Sequence, residues 1–364
     1  MSHARASANR PATATDVARI AGVSQSAVSR AFTPGASIAA ETKLRIIEAA
    51  RTLGYRPNAI ARSLITRRSR VIGLVAAYLQ NHFYPDVLEL MSRRFQARGY
   101  HILLFTADAA AHADPVMEEI LAYRVDGLIL ASTTLSSALA ADCRAAGIPV
   151  LLFNRTARAS QVSSVTGENE RGGRLIGEFL IAGGHRRFGF VAGVEVSSTS
   201  HDRERGFRAA MAAHGLPEPM RAVGHYTFEG AAAAARDLLS CPDRPDAIFC
   251  GNDHMALAIS EVARFEFGLK VPQDISLVGF DDVGPARWAS FSLTSFSQPV
   301  SAMVDRAVEV MIEQIEDEAP VPRDVIVPGE LIVRGSALIP SGCISINGQL
   351  VWRPESTPSG APAP

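Results

Sequence analysis

Long apolar runs are missing from this chain of 364 residues, and no stretch is long and apolar enough to span a bilayer. Residues Met1 to Ala12 carry charge but no apolar core of the secretory kind, so no export signal is expected and the cytoplasm is the expected compartment. Cysteine is scarce. The four present, Cys143, Cys241, Cys250 and Cys343, have neither metal-ligand nor redox spacing and fit buried free thiols in a reducing cytosol. Catalytic signatures are also absent. Ser200, His201, Asp202 and His185 form no nucleophile elbow, and spacing alone makes no triad of them. The pairs Gly172-Gly173 and Gly183-Gly184 belong to no dinucleotide-binding or Walker pattern after a strand. His185, in the turn Gly-Gly-His-Arg-Arg, is read as structural, and no ligand pair has metal-site spacing. Neither an enzyme nor a bound cofactor is expected.

What is present is an uneven distribution of charge. The formal net charge of −1 splits into +9 over residues 1–70, where twelve Arg and Lys face only Asp16, Glu41 and Glu48, and −10 over the rest. Such asymmetry points to a polyanion-binding arm on an acidic body. The length calls for two or three compact units, and the 47% hydrophobic content is that of a globular protein.

The basic arm has internal order. Thr13-Ala14-Thr15-Asp16 is a capping box, in which the Thr13 hydroxyl takes a free helix N–H and Asp16 reaches back. Val17, Ile20 and Ala21 follow at helical spacing, and Gly22 supplies a tight turn. Ser24 caps a second helix that buries Ala27 and Val28 and turns Gln25, Ser26, Ser29 and Arg30 outward. Such side chains suit base edges and phosphates. A third helix from about Ala40 offers Leu44, Ile47, Ala50 and Leu53 to close the bundle. Pro57 biases Arg56 away from helix and Asn58 is a good N-cap, so a short separate helix begins there, too short to be stable alone in water. A small surface hairpin with no partner is the alternative, and the +9 charge weighs against it.

With Asp-Val-Ala-Arg-Ile-Ala-Gly-Val-Ser (16–24), Val-Ser-Arg (28–30), Leu-Gly-Tyr-Arg-Pro-Asn-Ala-Ile-Ala-Arg-Ser-Leu (53–64), Gly-Gly-His-Arg-Arg (183–187) and Leu-Val-Gly-Phe-Asp-Asp (277–282), the chain resembles the lactose-repressor/galactose-repressor family from about Thr13 to Ala337. The resemblance implies an N-terminal all-α helix-turn-helix domain with a hinge helix. An α/β two-lobed sensor like a periplasmic binding protein follows, built on two Rossmann-like, doubly wound parallel sheets. It implies double-stranded operator DNA, a homodimer and a small-molecule effector as partners, with no membrane. Paired hinge helices would enter the minor groove with Leu64 wedged at a central step and Ala61 beside it. The base-reading triplet maps to Gln25, Ser26 and Arg30, and the implied DNA contacts as a set are Thr13, Ser24, Gln25, Ser26, Ser29, Arg30, Asn58, Ala61 and Leu64. Two departures stand out. Ala14 replaces a larger apolar residue, and Ala39 replaces the Ser that usually caps the third helix.

From Val71 short apolar runs alternate with amphipathic stretches. The strand candidates are Val71–Ala76, His101–Phe105, Gly127–Ala131, Pro149–Phe153, Arg187–Ala192, Ala247–Cys250 and Ile275–Phe280, with helical patterns such as Asp86–Arg98 and Gly172–Ala182 between them. This alternation implies parallel sheets covered by helices, with ligands at the carboxyl ends of strands in a cleft between lobes. Polar side chains cluster at those ends: Asn154-Arg155, Ser198-Thr199 with Arg203, Asn252-Asp253 and Asp281-Asp282. The family resemblance carries effector contacts onto Phe83, Tyr84, Asn154, Thr199, Arg203, Tyr226, Asn252, Asp281 and Gln298. That set suits a polyhydroxylated or heteroatom-rich ligand. The plainer alternatives are helix caps for Asn252 and Asp281 and core aromatics for Phe83 and Tyr84.

The organisation expected is a disordered arm over 1–12, the helix-turn-helix over 13–57, hinge helix and linker over 58–69, and an effector-binding domain over 70–339. Its first lobe takes about 70–165 plus 294–325 and its second about 166–293 plus 326–339. Residues 340–364 read as a largely disordered tail with one apolar strand, Cys343–Trp352, and no leucine heptad for a tetramerising coiled coil. A dimer calls for a pseudo-palindromic operator. A sugar or sugar derivative is the default effector of the family, nucleobases and other metabolites being alternatives, and release of the operator is its commoner response. The rival readings are a solute-binding protein of the periplasm, opposed by the Arg-rich arm, and a small-metabolite hydrolase or kinase, opposed by the lack of motifs.

Overall fold

A computed structural model describes residues 10, 12–33, 35–56, 68–77, 79–106, 117–131, 137–156, 162–317 and 321–354. The expected hinge helix, with Asn58, Ala61 and Leu64, lies outside the described residues, as do 355–364 at the end of the chain. Contacts divide the chain into two units, residues 1–69 and 70–364.

The first unit holds helices α1 (Ala14–Ala21), α2 (Gln25–Ala31) and α3 (Ala40–Leu53). The capping box is formed: the Asp16 amide donates to Thr13 Oγ1 at 3.3 Å and the Thr13 amide to Asp16 Oδ2 at 3.0 Å. Gly22 ends α1 at φ 63°, the left-handed turn that a residue without Cβ adopts cheaply. Ser24 Oγ accepts the Ala27 amide and starts α2. Val17, Ala21, Val28, Ala31, Ile46, Ala49 and Ala50 make the core. The third helix therefore faces inward with Ile46, Ala49 and Ala50, while Leu44 is 68% and Ile47 41% exposed, contrary to the expected stripe. Ile20, also expected inside, is 49% exposed. A three-helix core lined with alanines draws the helices together along one narrow stripe, and neighbouring apolar residues stay outside. As read from the sequence, Ala39 makes no side-chain cap to α3. Ala39→Ser is expected to raise the stability of this unit by roughly 1 kcal/mol, read as the urea midpoint of its transition in the whole chain; an unchanged midpoint refutes this.

The second unit is built on two sheets. The first runs through β1 (Val71–Ala76), β2 (His101–Thr106), β3 (Gly127–Ala131), β4 (Val150–Phe153), β5 (Ser163–Gly167) and β11 (Asp324–Val327), in the order β11-β5-β4-β3-β1-β2, all parallel. Its helices are α4 (Phe83–Ala97), α5 (Met117–Ala122), α6 (Ser137–Ala145) and α11 (Val300–Glu316), with α11 packed on α4. The second sheet contains β6 (Phe188–Ala192), β7 (Met220–Val223), β8 (Ala247–Cys250), β9 (Ser276–Asp281) and β10 (Thr294–Ser297), parallel in the order β10-β9-β8-β6-β7. Around it lie α7 (Asn169–Ala182), α8 (Ser198–Ala213), α9 (Phe228–Leu239) and α10 (Asp253–Glu261). Phe188, Phe190, Phe207, Phe249, Phe280 and Phe296 fill its core.

Three strands extend this second sheet antiparallel: β12 (Leu331–Ile332), then β14 (Gln349–Trp352), then β13 (Cys343–Ile346). The single strand expected over Cys343–Trp352 is thus a hairpin, and the expectation of a largely disordered 340–364 is corrected for 340–354. Asn347 at φ 49° and Gly348 at φ 77° form the two-residue turn with both central residues left-handed that matches strand twist. Trp352 anchors it, its ring 5.7 Å from Phe179 and its Nε1 donating to the Ser341 carbonyl at 3.0 Å. The lobe boundaries also shift. β10 pairs with β9 and so belongs to the second lobe, not to the first as 294–325 implied, and β11 pairs with β5 through Val327. The chain crosses between lobes after β5, after β10 and after β11.

Candidate functional site

Two sets of side chains stand out, one in each unit. On α2, Gln25, Ser26, Ser29 and Arg30 are all exposed, while Val28 on the opposite side is buried. The periodicity that buries Val28 and Ala31 leaves this polar face outward. The hydroxyls of Thr13 and Ser24, also expected at DNA, are engaged in helix capping, with Thr13 Oγ1 donating to Asp16 Oδ2 at 2.7 Å.

In the second unit a cavity is lined by Asn81, Tyr84, Asn154, Arg155, Thr199, Arg203, Tyr226, Asn252 and Asp281. Both lobes contribute. Tyr84 lies in the first turn of α4, and Asn154 and Arg155 follow β4. Thr199 and Arg203 lie on α8, Tyr226 follows β7, Asn252 caps α10, and Asp281 ends β9. These are carboxyl ends of parallel strands, where side chains of successive units converge. The free space is about 10 Å³, room for one water, so a sugar-sized ligand enters only if the lobes part.

Of the nine residues expected at the effector, Tyr84, Asn154, Thr199, Arg203, Tyr226, Asn252 and Asp281 meet in this cavity. Phe83 does not line it. It is 1% exposed and packs on Tyr84 and Phe153 in the first lobe's core, with ring centroids 5.3 and 6.5 Å away. Gln298 stands behind the cavity, its Nε2 donating to Asp281 Oδ1 at 2.7 Å, and so positions that carboxylate. Asn81 was missed. Its Oδ1 accepts the Phe83 amide at 3.1 Å, the Asx turn whose only sequence signal is an Asn two residues before the aromatic pair.

Arg203 is the organising residue. It is 2% exposed, donating from Nε to Asn169 Oδ1 at 2.9 Å, from Nη1 to the Gly251 carbonyl at 2.5 Å and from Nη2 to Asp281 Oδ1 at 3.3 Å. Its guanidinium carbon sits 3.7 Å from the Phe280 ring centroid, a cation–π stack in a water-poor site. Burial pushes the Asp281 carboxyl up to about 6, against the opposing pull of Arg203, Gln298 and, at longer range, the charge of Arg155. Burial also disfavours the Tyr226 phenolate, but the charges of Arg203 and Arg155, with the hydroxyls of Ser197 and Thr199, together outweigh it and hold this phenol below its ordinary pKa. Behind the cavity, burial and then Asp281 push the Asp253 carboxyl well up.

Three of the lining residues hold left-handed backbone: Asn154 at φ 57°, Tyr226 at φ 59° and Asp281 at φ 114°. Such conformations cost an L-residue on the order of 1 kcal/mol each and gather where side-chain placement matters more than stability. At the end of β6, a Cβ on Gly193 would lie 2.0 Å from the Tyr226 ring, so the absent side chain is what lets that ring reach the cavity.

A helix-turn-helix joined to a two-lobed α/β domain with a polar inter-lobe cavity defines the class: a DNA-binding regulator with a ligand-sensing body. Residues 13–58 match the family model of bacterial regulatory proteins, lacI family, and residues 178–337 match that of the periplasmic binding protein-like domain. The chain is 31% identical over 330 residues to the ribose operon repressor of Escherichia coli (strain K12), across 90% of this chain and all of that one. It is 30% identical to the HTH-type transcriptional repressor PurR of Photobacterium profundum, covering 89% and 98% of the two chains. Among solved structures, the lac repressor dimer bound to operator and the anti-inducer ONPF superposes with a TM-score of 0.81 at 26% identity, over 90% of this chain and all of that one. The chain belongs to the lacI family of bacterial regulatory proteins. No helix among the described residues is long and apolar enough to cross a membrane.

Proposed function

We propose that this protein is a cytoplasmic transcriptional repressor without enzymatic activity or bound cofactor, that it binds a pseudo-palindromic operator as a homodimer, and that a sugar or sugar derivative in the inter-lobe cavity controls it. The observation that carries the reading is the pairing of an outward polar face on α2 with a buried polar cavity built from both lobes. Gln25, Ser26 and Arg30 read base edges in the major groove, while Thr13, Ser24 and Ser29 address the backbone. Asn58, Ala61 and Leu64 act in the minor groove through the hinge. The effector alters operator affinity through its unequal affinity for open and closed lobes, and the coupling is reciprocal, so operator binding changes effector affinity by the same factor. Release of the operator is the expected direction.

The test is a gel shift against DNA flanking the gene at two salt concentrations. Specific binding to a pseudo-palindrome that weakens steeply with salt is expected, and its absence sinks the proposal. Arg30→Ala should weaken operator binding by about 1–3 kcal/mol, roughly 5- to 150-fold, and relax specificity at the base it reads. A uniform loss across all sequences would instead make Arg30 a phosphate contact.

A further inference from the structure

The charges of the cavity do not balance, and the imbalance lies in one residue. Arg203 has every nitrogen engaged and is paired with Asp281. Asp253, nearby, is spent on Ser295 Oγ at 2.7 Å and the Val283 amide at 2.9 Å and does not line the cavity. That leaves Arg155. It is 5% exposed, and its Nη1 donates only to neutral acceptors, the Asn154 carbonyl and Thr199 Oγ1, each at 2.8 Å. Its guanidinium carbon lies 5.9 Å from the Tyr226 ring centroid. No carboxylate forms an ion pair with it among the described residues.

The neighbouring position sharpens the point. Asn154, which lines the same cavity, is an amide that is 4% exposed and so brings no negative charge to it. Its Nδ2 reaches only the Tyr84 hydroxyl, at 3.5 Å, and its Oδ1 is buried with no hydrogen-bond partner. A buried acceptor without a donor and a buried guanidinium with no carboxylate in hydrogen-bond contact, only the more distant charge of Asp281 that Arg203 already engages, are both costly, and an entering molecule that supplies both partners lowers both costs.

We propose that the effector is a polyhydroxylated anion, a sugar acid or sugar phosphate, whose oxyanion is received by Arg155 and one of whose hydroxyls donates to Asn154 Oδ1. The proposal rests on the cavity being the effector site and narrows what it takes. The planar guanidinium suits either a carboxylate or a phosphate, bound by two parallel hydrogen bonds. A neutral sugar leaves Arg155 with no anion in direct contact and only the distant, Arg203-paired Asp281 to offset its charge.

The competing role for Arg155 is structural, because its bond to Thr199 joins the end of β4 in the first lobe to α8 in the second. The two roles separate experimentally. Calorimetric titration of the full-length protein uses D-glucose, D-gluconate, D-glucuronate and D-glucose 6-phosphate, with D-ribose and D-ribose 5-phosphate as a second skeleton. At least one anion is expected to bind roughly 10- to 150-fold more tightly than its neutral counterpart, the range of a charge-assisted hydrogen bond. The carboxylate and phosphate arms distinguish the two sources. Arg155→Met should erase that preference while leaving the melting temperature of the unliganded protein unchanged or higher, and Arg155→Lys should retain part of it. Asn154→Asp should erase it as well. A lowered melting temperature in Arg155→Met with anion preference intact makes Arg155 a lobe tie and overturns the proposal. So does the failure of every anion to bind. If a neutral sugar binds best and Asn154→Asp changes its affinity, the cavity is the effector site and only the anionic class is wrong. If neither Arg155→Met nor Asn154→Asp alters the binding of any compound, the effector lies elsewhere and the cavity reading itself falls.

Discussion

Replacing Arg203 by methionine is expected to cost the second unit about 3–5 kcal/mol at pH 7.5 and to abolish the response to effector. The arginine is the only cation hydrogen-bonded to Asp281 among the described residues, and both groups are almost fully buried. Without it the carboxylate keeps only the Gln298 amide, in a site whose burial already pushes its pKa up to about 6. The variant carries a diagnostic pH dependence. Removing Arg203 removes the main influence that lowers the Asp281 pKa, so in the variant the carboxyl titrates above 6. A group whose folded pKa is raised contributes stability below its unfolded pKa and loses it as pH rises through the folded value. Wild type therefore loses this contribution near pH 6 and the variant loses more of it at higher pH. The deficit should open as pH climbs from 6 and shrink below it, where both proteins hold the proton. Denaturant titrations of both proteins at pH 5.5 and 7.5 measure it, and an equal deficit at both would show that lost packing on Phe280 dominates over charge.

The second large effect is steric and opposes helix propensity. Gly206→Ala in α8 is expected to destabilise the second unit by about 3 kcal/mol and to weaken effector binding with it. Alanine is favoured over glycine in a helix by about 1 kcal/mol, so propensity alone forecasts a gain. Geometry forecasts the reverse: a Cβ on Gly206 would stand 1.9 Å from the Glu170 carbonyl oxygen and 2.8 Å from the Arg174 amide of α7. The crossing is reciprocal, since a Cβ on Gly173 would meet the Arg203 carbonyl oxygen at 2.1 Å. No flexible side chain can yield there; the two backbones must part. Asn169 at the start of α7 accepts from Arg203 on α8, so parting the helices also draws the guanidinium off Asp281. Gly284→Ala, with open space around its Cβ, is the steric control and should cost far less, its residual cost being the strain of a Cβ just before Pro285. A stabilised Gly206→Ala would mean the helices separate at little cost.

Legibility in the sequence followed physical character. Val71–Ala76, Gly127–Ala131 and Ala247–Cys250 were delimited to the residue because they are short apolar runs buried on both faces of parallel sheets. β5, Ser-Ser-Val-Thr-Gly, was not, because its burial is made possible by partners from afar: Ser163 Oγ accepts the Arg323 amide at 3.0 Å and Ser164 Oγ donates to Asp324 Oδ1 at 2.5 Å. β10 and β11 were too short to declare their lobe. The terminal hairpin did carry a local signal, Asn347-Gly348 between alternating apolar residues, which the expectation of a disordered tail overrode. Leu44 and Ile47 show the limit of periodicity, for two apolar stripes on one helix compete and the packing of partner helices selects one.

The chain's sequence by itself determined two oppositely charged modules, the capped helices and outward polar face of the reading unit, and the strand ends where site residues converge. These depend on neighbours within a few positions, where spacing and residue type decide. Only the tertiary structure decided that Phe83 is core, that Gln298 holds Asp281 from behind, and that Arg203 is charge-paired while Arg155 is not. Those facts depend on which groups meet across 78 residues, as Arg203 and Asp281 do, or 44, as Arg155 and Thr199 do. The electrostatic state of a buried group is set by the partners that replace water around it, and sequence spacing does not encode them.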